Sequence, residues 1–306
     1  MDHRLPATLE MAREFSQLFV NRRAYTIQSM RPHAESGRHY YYRPKPKDSG
    51  EPVELTIETV RRHLAGEITI GIYAINAATQ RCKWMAIDAD YKTALEDLIK
   101  VQRQLQNDRI EAALEKSRRG GHLWIFFERP VLAREARVYI YHVAGKLGVQ
   151  VKGTGLADGI EIFPKQDELR REEFGNAIRA PLGVHWGARE GRGWRYWFYG
   201  ADYKLEDQLT YLKGIGKVKE EHLRRMIAGT WRIAGEKDAR IAAPQSDMGA
   251  GWRRQRCIKP VQGGAVAQGI KRAIFGARDF CLDVHSVFNQ LRGGGAATVR
   301  STRCLR

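Results

Sequence analysis

Two aspartates, Asp88 and Asp90, close the apolar run Trp84-Met85-Ala86-Ile87-Asp88-Ala89-Asp90. On a strand, residues i and i+2 share a face, so the two carboxylates would stand side by side. Like charges that close are costly unless a cation neutralises them, and paired oxygen ligands suit Mg²⁺ or Mn²⁺. Roughly thirty residues later comes Ser117-Arg118-Arg119-Gly120-Gly121-His122, followed by the apolar Leu123–Phe127. Small residues there let the backbone approach an anion, with Ser117, Arg118, Arg119 and His122 around it. A metal-binding carboxylate pair beside a phosphate cradle is suited to nucleotidyl transfer.

Taken singly, these elements are ambiguous. A D-x-D pair also serves sugar-nucleotide glycosyltransferases or merely ends a strand, and a G-G-H turn needs no ligand. A third element narrows the reading: Asp158-Gly159-Ile160-Glu161-Ile162-Phe163-Pro164-Lys165-Gln166, then Gly175-Asn176-Ala177-Ile178-Arg179-Ala180-Pro181-Leu182-Gly183-Val184-His185. On a strand, Glu161 faces away from Ile160 and Ile162. It is either an exposed edge residue or a third carboxylate ligand, with Asp158 its rival.

In this order, the "IDAD", "SRRGGHLWIFF", "EIFPKQ" and "GNAIRAPLGVH" runs resemble the archaeo-eukaryotic primase superfamily. The primase–polymerases of bacterial conflict systems and CRISPR-associated loci are the most similar group, over residues 56–225. The resemblance implies an α+β fold, with a mixed-sheet, RRM-like catalytic core flanked by helices. It implies Asp88, Asp90 and Glu161 as catalytic metal ligands for two Mg²⁺ or Mn²⁺ ions. His122, Ser117 and Arg119 would bind the incoming nucleotide, and Lys165, Gln166, Asn176 and Arg179 would contact its phosphates or sugar. Family members commonly carry a longer glycine-serine turn than this chain has at Ser117.

The implied activity is template-directed addition of nucleotides to a 3′-hydroxyl, with chain initiation included. The alternatives are a repair polymerase that only extends, or a catalytically silent nucleic-acid-binding module. Expected partners are single-stranded DNA template, primer and nucleoside triphosphates, with replication, repair or CRISPR proteins as further ones.

Composition agrees. The 306 residues carry 52 Lys and Arg against 35 Asp and Glu, a formal charge of +17, which draws polyanions and nucleic acid first among them. Ribosomal, membrane-surface or heparin binding would also be basic. No apolar run has the length of a transmembrane helix, and the N-terminus lacks a signal peptide's apolar stretch, so the protein is expected in the cytoplasm. Cys82, Cys257, Cys281 and Cys304 are widely spaced, which fits neither a zinc finger nor a disulfide framework.

Hydrophobic periodicity supplies the scaffold. Helices are expected over 7–22, from Thr56 (as N-cap) to Gly66, and over 93–106, 134–147, 205–212 and 217–228. Strands are expected at Thr69–Ile75, Lys83–Asp88, Ala112–Lys116, His122–Phe127, Ile160–Phe163 and Trp194–Tyr199. The stretch from Tyr25 to Lys47 is aromatic and basic. It reads either as a base-stacking surface or as a half-buried strand with Tyr40 and Tyr42 on one face and Tyr41 on the other. The cluster Trp194, Tyr196, Trp197, Phe198 and Tyr199 is expected in the core.

Residues 1–239 would form the catalytic domain and 240–255 a linker. Residues 256–292 would form a small helical segment, compatible with a truncated primase C-terminal domain, and 293–306 a disordered tail. From Arg240 onward there are 12 Lys and Arg against 3 Asp and Glu, an excess of nine that would add to nucleic-acid grip.

Overall fold

A computed structural model describes residues 4–45, 53–117, 119–152, 158–187 and 194–233, all within a first unit, Met1–Pro244. The linker, helical segment and tail expected beyond 239, three of the four cysteines, Lys47 and Arg118 lie outside the described residues. The described chain is α+β, with six helices and ten strands.

Two four-stranded sheets organise it. The first has the order β2-β1-β3-β8, from Tyr41–Tyr42, Tyr25–Gln28, Ile70–Tyr73 and Ala177–Arg179. The second has the order β5-β6-β4-β7, from Ala113–Lys116, Gly121–Leu132, Arg81–Ala89 and Glu161–Phe163. A short ribbon pairs β9 (Val184–His185) with β10 (Trp194–Arg195). Pairing between these strands is antiparallel throughout. Parallel contacts occur only as the isolated bridges Phe127–Val218 and Val151–Ile160 among the described residues.

Helices α1 (Leu9–Phe19), α2 (Ile57–Ala65) and α5 (Leu205–Gly214) pack into a core with the first sheet. Helices α3 (Ala94–Asn107), α4 (Ala133–Leu147) and α6 (Glu220–Ile233) cover one face of the second sheet. Thr56 caps α2 by accepting from the Thr59 amide, and Gly66 ends it at φ 82°; that left-handed backbone favours glycine.

The alternation along β4 places the site. Met85, Ile87 and Ala89 join Leu98 and Val101 of α3 and Ile140 and Val143 of α4. Trp84 and Ala86 turn the other way, into the core shared with Phe19, Ile72, Trp124 and Phe163. A strand buried on both faces reads as a nearly continuous apolar run, as "WMAIDA" does. Asp88 has the parity of Trp84 and Ala86, so its carboxylate points to the side shared by the two sheets, where the aromatic packing ends.

Three expectations are modified. The strand expected over Trp194–Tyr199 pairs as a strand only at Trp194–Arg195. Beyond it the chain is tied piecemeal: the Tyr196 amide donates to Gly183 O, the Lys116 amide to Trp197 O, and the Tyr199 amide to Leu114 O. Strands β8 and β9 were not anticipated, since two- and three-residue strands carry too little alternation to read. The triple tyrosine pairs as a strand only at Tyr41–Tyr42, with the Tyr40 and Tyr42 rings side by side and all three side chains about half exposed.

Candidate nucleotidyl-transfer site

Register brings the three sequence elements into one row. On the adjacent strands β6, β4 and β7, His122 lies directly opposite Asp88, and Asp88 directly opposite Glu161. Asp90 follows one step past the end of β4. The turn from Ser117 to Gly120 closes the β5–β6 hairpin, with Ser117 N donating to Gly120 O at 3.0 Å. That turn fixes Lys116 opposite Gly121 and Glu115 opposite His122. A Cβ on Gly120 would lie 2.0 Å from Ala89 O and 2.8 Å from Ala94 Cβ. The glycine therefore lets the turn press against the end of β4, which brings Ser117 and Arg119 to Asp90.

The row forms a wall of a cleft of about 980 Å³. Of the residues singled out from sequence, Asp88, Asp90, Ser117, Arg119, His122, Glu161, Lys165, Asn176 and Arg179 line it, whereas Gln166 does not and instead holds Asn176. Asp158 instead lines a smaller neighbouring cavity of about 300 Å³, to which Asp88, Asp90 and Glu161 also contribute.

The carboxylates are heavily countered by cations. Asp90 pairs with Arg119, whose Nε donates to Oδ2 at 3.1 Å, and Ser117 Oγ donates to its other oxygen at 3.4 Å. Glu161 is held by Lys152 at 2.5 Å and by Lys165. Burial alone would raise the Glu161 carboxyl, but the two lysines outweigh it and hold it below the usual range. At Asp88, burial likewise pushes upward and is overcome by His122, Arg179 and Lys165, so this carboxyl too is lowered. The repulsion expected of a paired aspartate is thus answered by resident cations.

His122 is buried between two acids. Its Nε2 is 3.3 Å from Asp88 Oδ1 and its Nδ1 2.6 Å from Glu115 Oε2. Burial would lower its pKa, yet Asp88 and Glu115 together raise it to about 9, so the ring is cationic at neutral pH. Glu115 is wholly buried, also accepts from Trp124 Nε1 at 3.0 Å, and lies 3.9 Å from Arg179. The Arg179 guanidinium stacks on the Tyr196 ring at 3.4 Å, and His185 lies parallel to that ring at 6.0 Å. Asn176 accepts from Gln166 at the cleft's edge.

Sequence reading missed Glu115, Lys152, Tyr196 and His185. Glu115 was recoverable: a four-residue turn starting at Ser117 implies the Glu115–His122 pairing. Lys152 had no local signal, because only the fold carries it from beyond α4 to Glu161.

The family's divalent ions can be tested against these residues. Among the described residues no three His, Cys, Asp or Glu side chains converge to hold an ion as they stand. Asp88 Oδ1 is nevertheless a buried oxygen with no hydrogen-bond partner, facing His122 without hydrogen-bond alignment. With Asp90 and Glu161 beside it, the donor set is hard oxygen, which fits Mg²⁺ or Mn²⁺. Arg119 pairs with Asp90, and Lys152 and Lys165 pair with Glu161.

The model of the TOTE conflict system, Archaeo-Eukaryotic Primase domain, matches residues 20–226. No curated protein matches the chain. Among solved structures, the polymerase domain of Mycobacterium tuberculosis Ligase D in complex with DNA is similar at 10% identity and a TM-score of 0.35, covering 76% of this chain and 90% of that one. Primase RepB′ is similar at 11% identity and a TM-score of 0.35, covering 76% of this chain and 67% of that one. No helix among the described residues is long and apolar enough to cross a membrane.

Proposed function

The chain belongs to the archaeo-eukaryotic primase domain family of TOTE conflict systems, and on that premise we propose that it is a template-directed nucleotidyltransferase. It extends a DNA 3′-hydroxyl with nucleotides and starts chains from free nucleotides on a single-stranded template. The observation that carries this reading is the register row of His122, Asp88 and Glu161, with Asp90 beyond it, on the wall of one large cleft.

In this reading the cleft receives a nucleoside triphosphate. His122, cationic and fixed by Glu115, and Arg179, fixed by Tyr196, face its phosphates with charge-assisted donors already in place. Arg119 and Lys165, paired with Asp90 and Glu161, stand in the same cleft as further cations for the phosphate oxygens. Ser117 orients Asp90, and Asn176 sits at the mouth toward the sugar. Asp88, Asp90 and Glu161 would hold Mg²⁺ or Mn²⁺, which when bound neutralise the triphosphate and acidify the attacking hydroxyl. The 3′-oxygen forms a bond to the α-phosphorus while the bond to pyrophosphate breaks. No protein nucleophile is needed, because phosphoryl transfer depends on positioning and charge stabilisation.

The test is incorporation of labelled nucleotides by purified protein on a DNA template, with Mg²⁺ or Mn²⁺, with and without primer. Products on both templates support the proposal, and products on the primed template alone restrict it to extension. Template-independent addition or no incorporation under any condition would reject it.

A further inference from the structure

We propose that the face formed by Tyr42 of β2 and by Tyr40 just before it is a stacking platform for single-stranded nucleic acid entering the cleft. The proposal rests on the reading of that cleft as a nucleotidyl-transfer site, and it names the surface that grips the template.

Tyr40, Tyr41 and Tyr42 are 51%, 40% and 45% exposed, and Met30 close by in sequence is 58% exposed. These four are most of the large apolar side chains exposed among the described residues. Scattered exposed apolar residues need no explanation, whereas a cluster does. Moreover, these rings stand on a fixed backbone. Ser29 N donates to Tyr40 O at 2.8 Å, the Tyr40 amide donates to Ser29 Oγ at 3.1 Å, and Tyr41 and Tyr42 pair in register with Gln28 and Ile27 of β1. The Tyr40 and Tyr42 rings lie 6.0 Å apart, and His33 packs edge-on against Tyr40 at 6.3 Å. Rigid aromatics lose little entropy when something stacks on them.

The occupant follows from charge and position. Between Met30 and Lys45 the chain carries Arg31, Arg38, Arg43 and Lys45 against the single acid Glu35. Aromatic rings among cations suit a polyanion with π-faces, and stacking of this kind tolerates any base. An apolar protein partner would not call for that excess of positive charge. The strip also runs directly into the site: Arg38, His39 and Tyr41 line the same cleft as Asp88. A strand laid on Tyr40 and Tyr42 therefore leads over the edge of the first sheet to the row of carboxylates. β2 is the edge of its sheet, so no further strand of that sheet covers its outer side.

The experiment is anisotropy titration of a fluorescent single-stranded oligodeoxynucleotide with the full 306-residue protein and three double variants at Tyr40 and Tyr42. Tyr→Phe at both positions keeps the rings, Tyr→Leu keeps apolar area without them, and Tyr→Ala removes both. Loss of two stacking rings should weaken binding by about tenfold or more in the Ala and Leu variants. The Phe variant should bind like the parent. The salt dependence should keep its slope in all three, because the cations that release counterions are intact. Circular dichroism checks that each variant is folded, which edge-strand surface substitutions should not disturb. Equal binding by the parent and the Ala variant overturns the platform, and so does a Phe variant as weak as Ala. Because binding is read without catalysis, a parent protein that binds through these rings but incorporates no nucleotide would uphold the platform and reject the polymerase reading.

Discussion

Glu115 is the residue whose removal the structure makes most consequential without touching the proposed metal ligands. Its carboxylate is wholly buried, accepts from His122 Nδ1 at 2.6 Å and from Trp124 Nε1 at 3.0 Å, and neighbours Arg179 at 3.9 Å. Glu115→Ala strands two buried donors, each at a cost of about 1–3 kcal/mol, and leaves Asp88 as the one remaining acid against the cations His122 and Arg179. Breaking a buried charge pair by deleting one member costs about 3–5 kcal/mol, and the two estimates agree. For a domain of this size that corresponds to a fall in Tm of roughly 6–20 °C. Glu115→Gln keeps the shape and one acceptor oxygen, so it should lose less stability while still loosening His122. Thermal and urea unfolding give the stability. Steady-state kinetics with varied nucleotide give the second reading, where KM for nucleotide should rise in the Gln variant while oligonucleotide affinity holds. An Ala variant unfolding within about 0.5 kcal/mol of the parent, the range of an ordinary surface change, would refute the idea that Glu115 anchors the network.

Three further outcomes are expected. Burial lowers the His63 pKa to about 4 from 6.5, although its hydrogen bond to Pro181 O opposes the shift; its stabilising contribution is full above pH 6.5, declines as pH falls toward 4, and totals about 3 kcal/mol. Urea unfolding from pH 7 to 4 should show that loss, and His63→Leu should flatten it. Gly120→Ala places a methyl against the Ala89 carbonyl, which cannot yield as a flexible side chain would, so it should displace the turn and lower both Tm and incorporation. Lys152→Ala with Lys165→Ala uncovers Glu161, and Mn²⁺ titrated without nucleotide, followed by electron paramagnetic resonance, should bind more tightly than to the parent; unchanged or weaker binding would mean that the lysines do not compete with metal.

The sequence was most legible where periodicity and chemistry coincide. β4 follows from a nearly continuous apolar run and α3 and α4 from stripes of Leu, Ile and Val, and the site followed because one antiparallel register aligns residues that are far apart in the chain. Asp88, His122 and Glu161 each lie at or one residue from a strand end, so short motifs mark them. What stayed hidden depended on tertiary approach. Lys152 reaches Glu161 from outside the regular strands, and Tyr196 reaches Arg179 from an irregular segment that an aromatic-rich pattern made look like a strand. Glu115 reads as an ordinary polar residue of a half-exposed strand until its burial against His122 is known. Gly183 likewise gives no hint that a Cβ there would lie 1.9 Å from His63 Cε1. Its place in the "GNAIRAPLGVH" block is explained by packing rather than by ligand contact.

Nucleotidyl transfer by the register row of acids is the proposal on which the rest depends. Its most direct test is incorporation by Asp88→Asn and Glu161→Gln, measured beside oligonucleotide binding and thermal unfolding of the same preparations. These variants keep shape and remove charge, so folding and strand binding should persist. Incorporation should fall by at least about a hundredfold, the scale on which losing one group that stabilises developing charge is felt. Near-parental incorporation by both variants would contradict the claim.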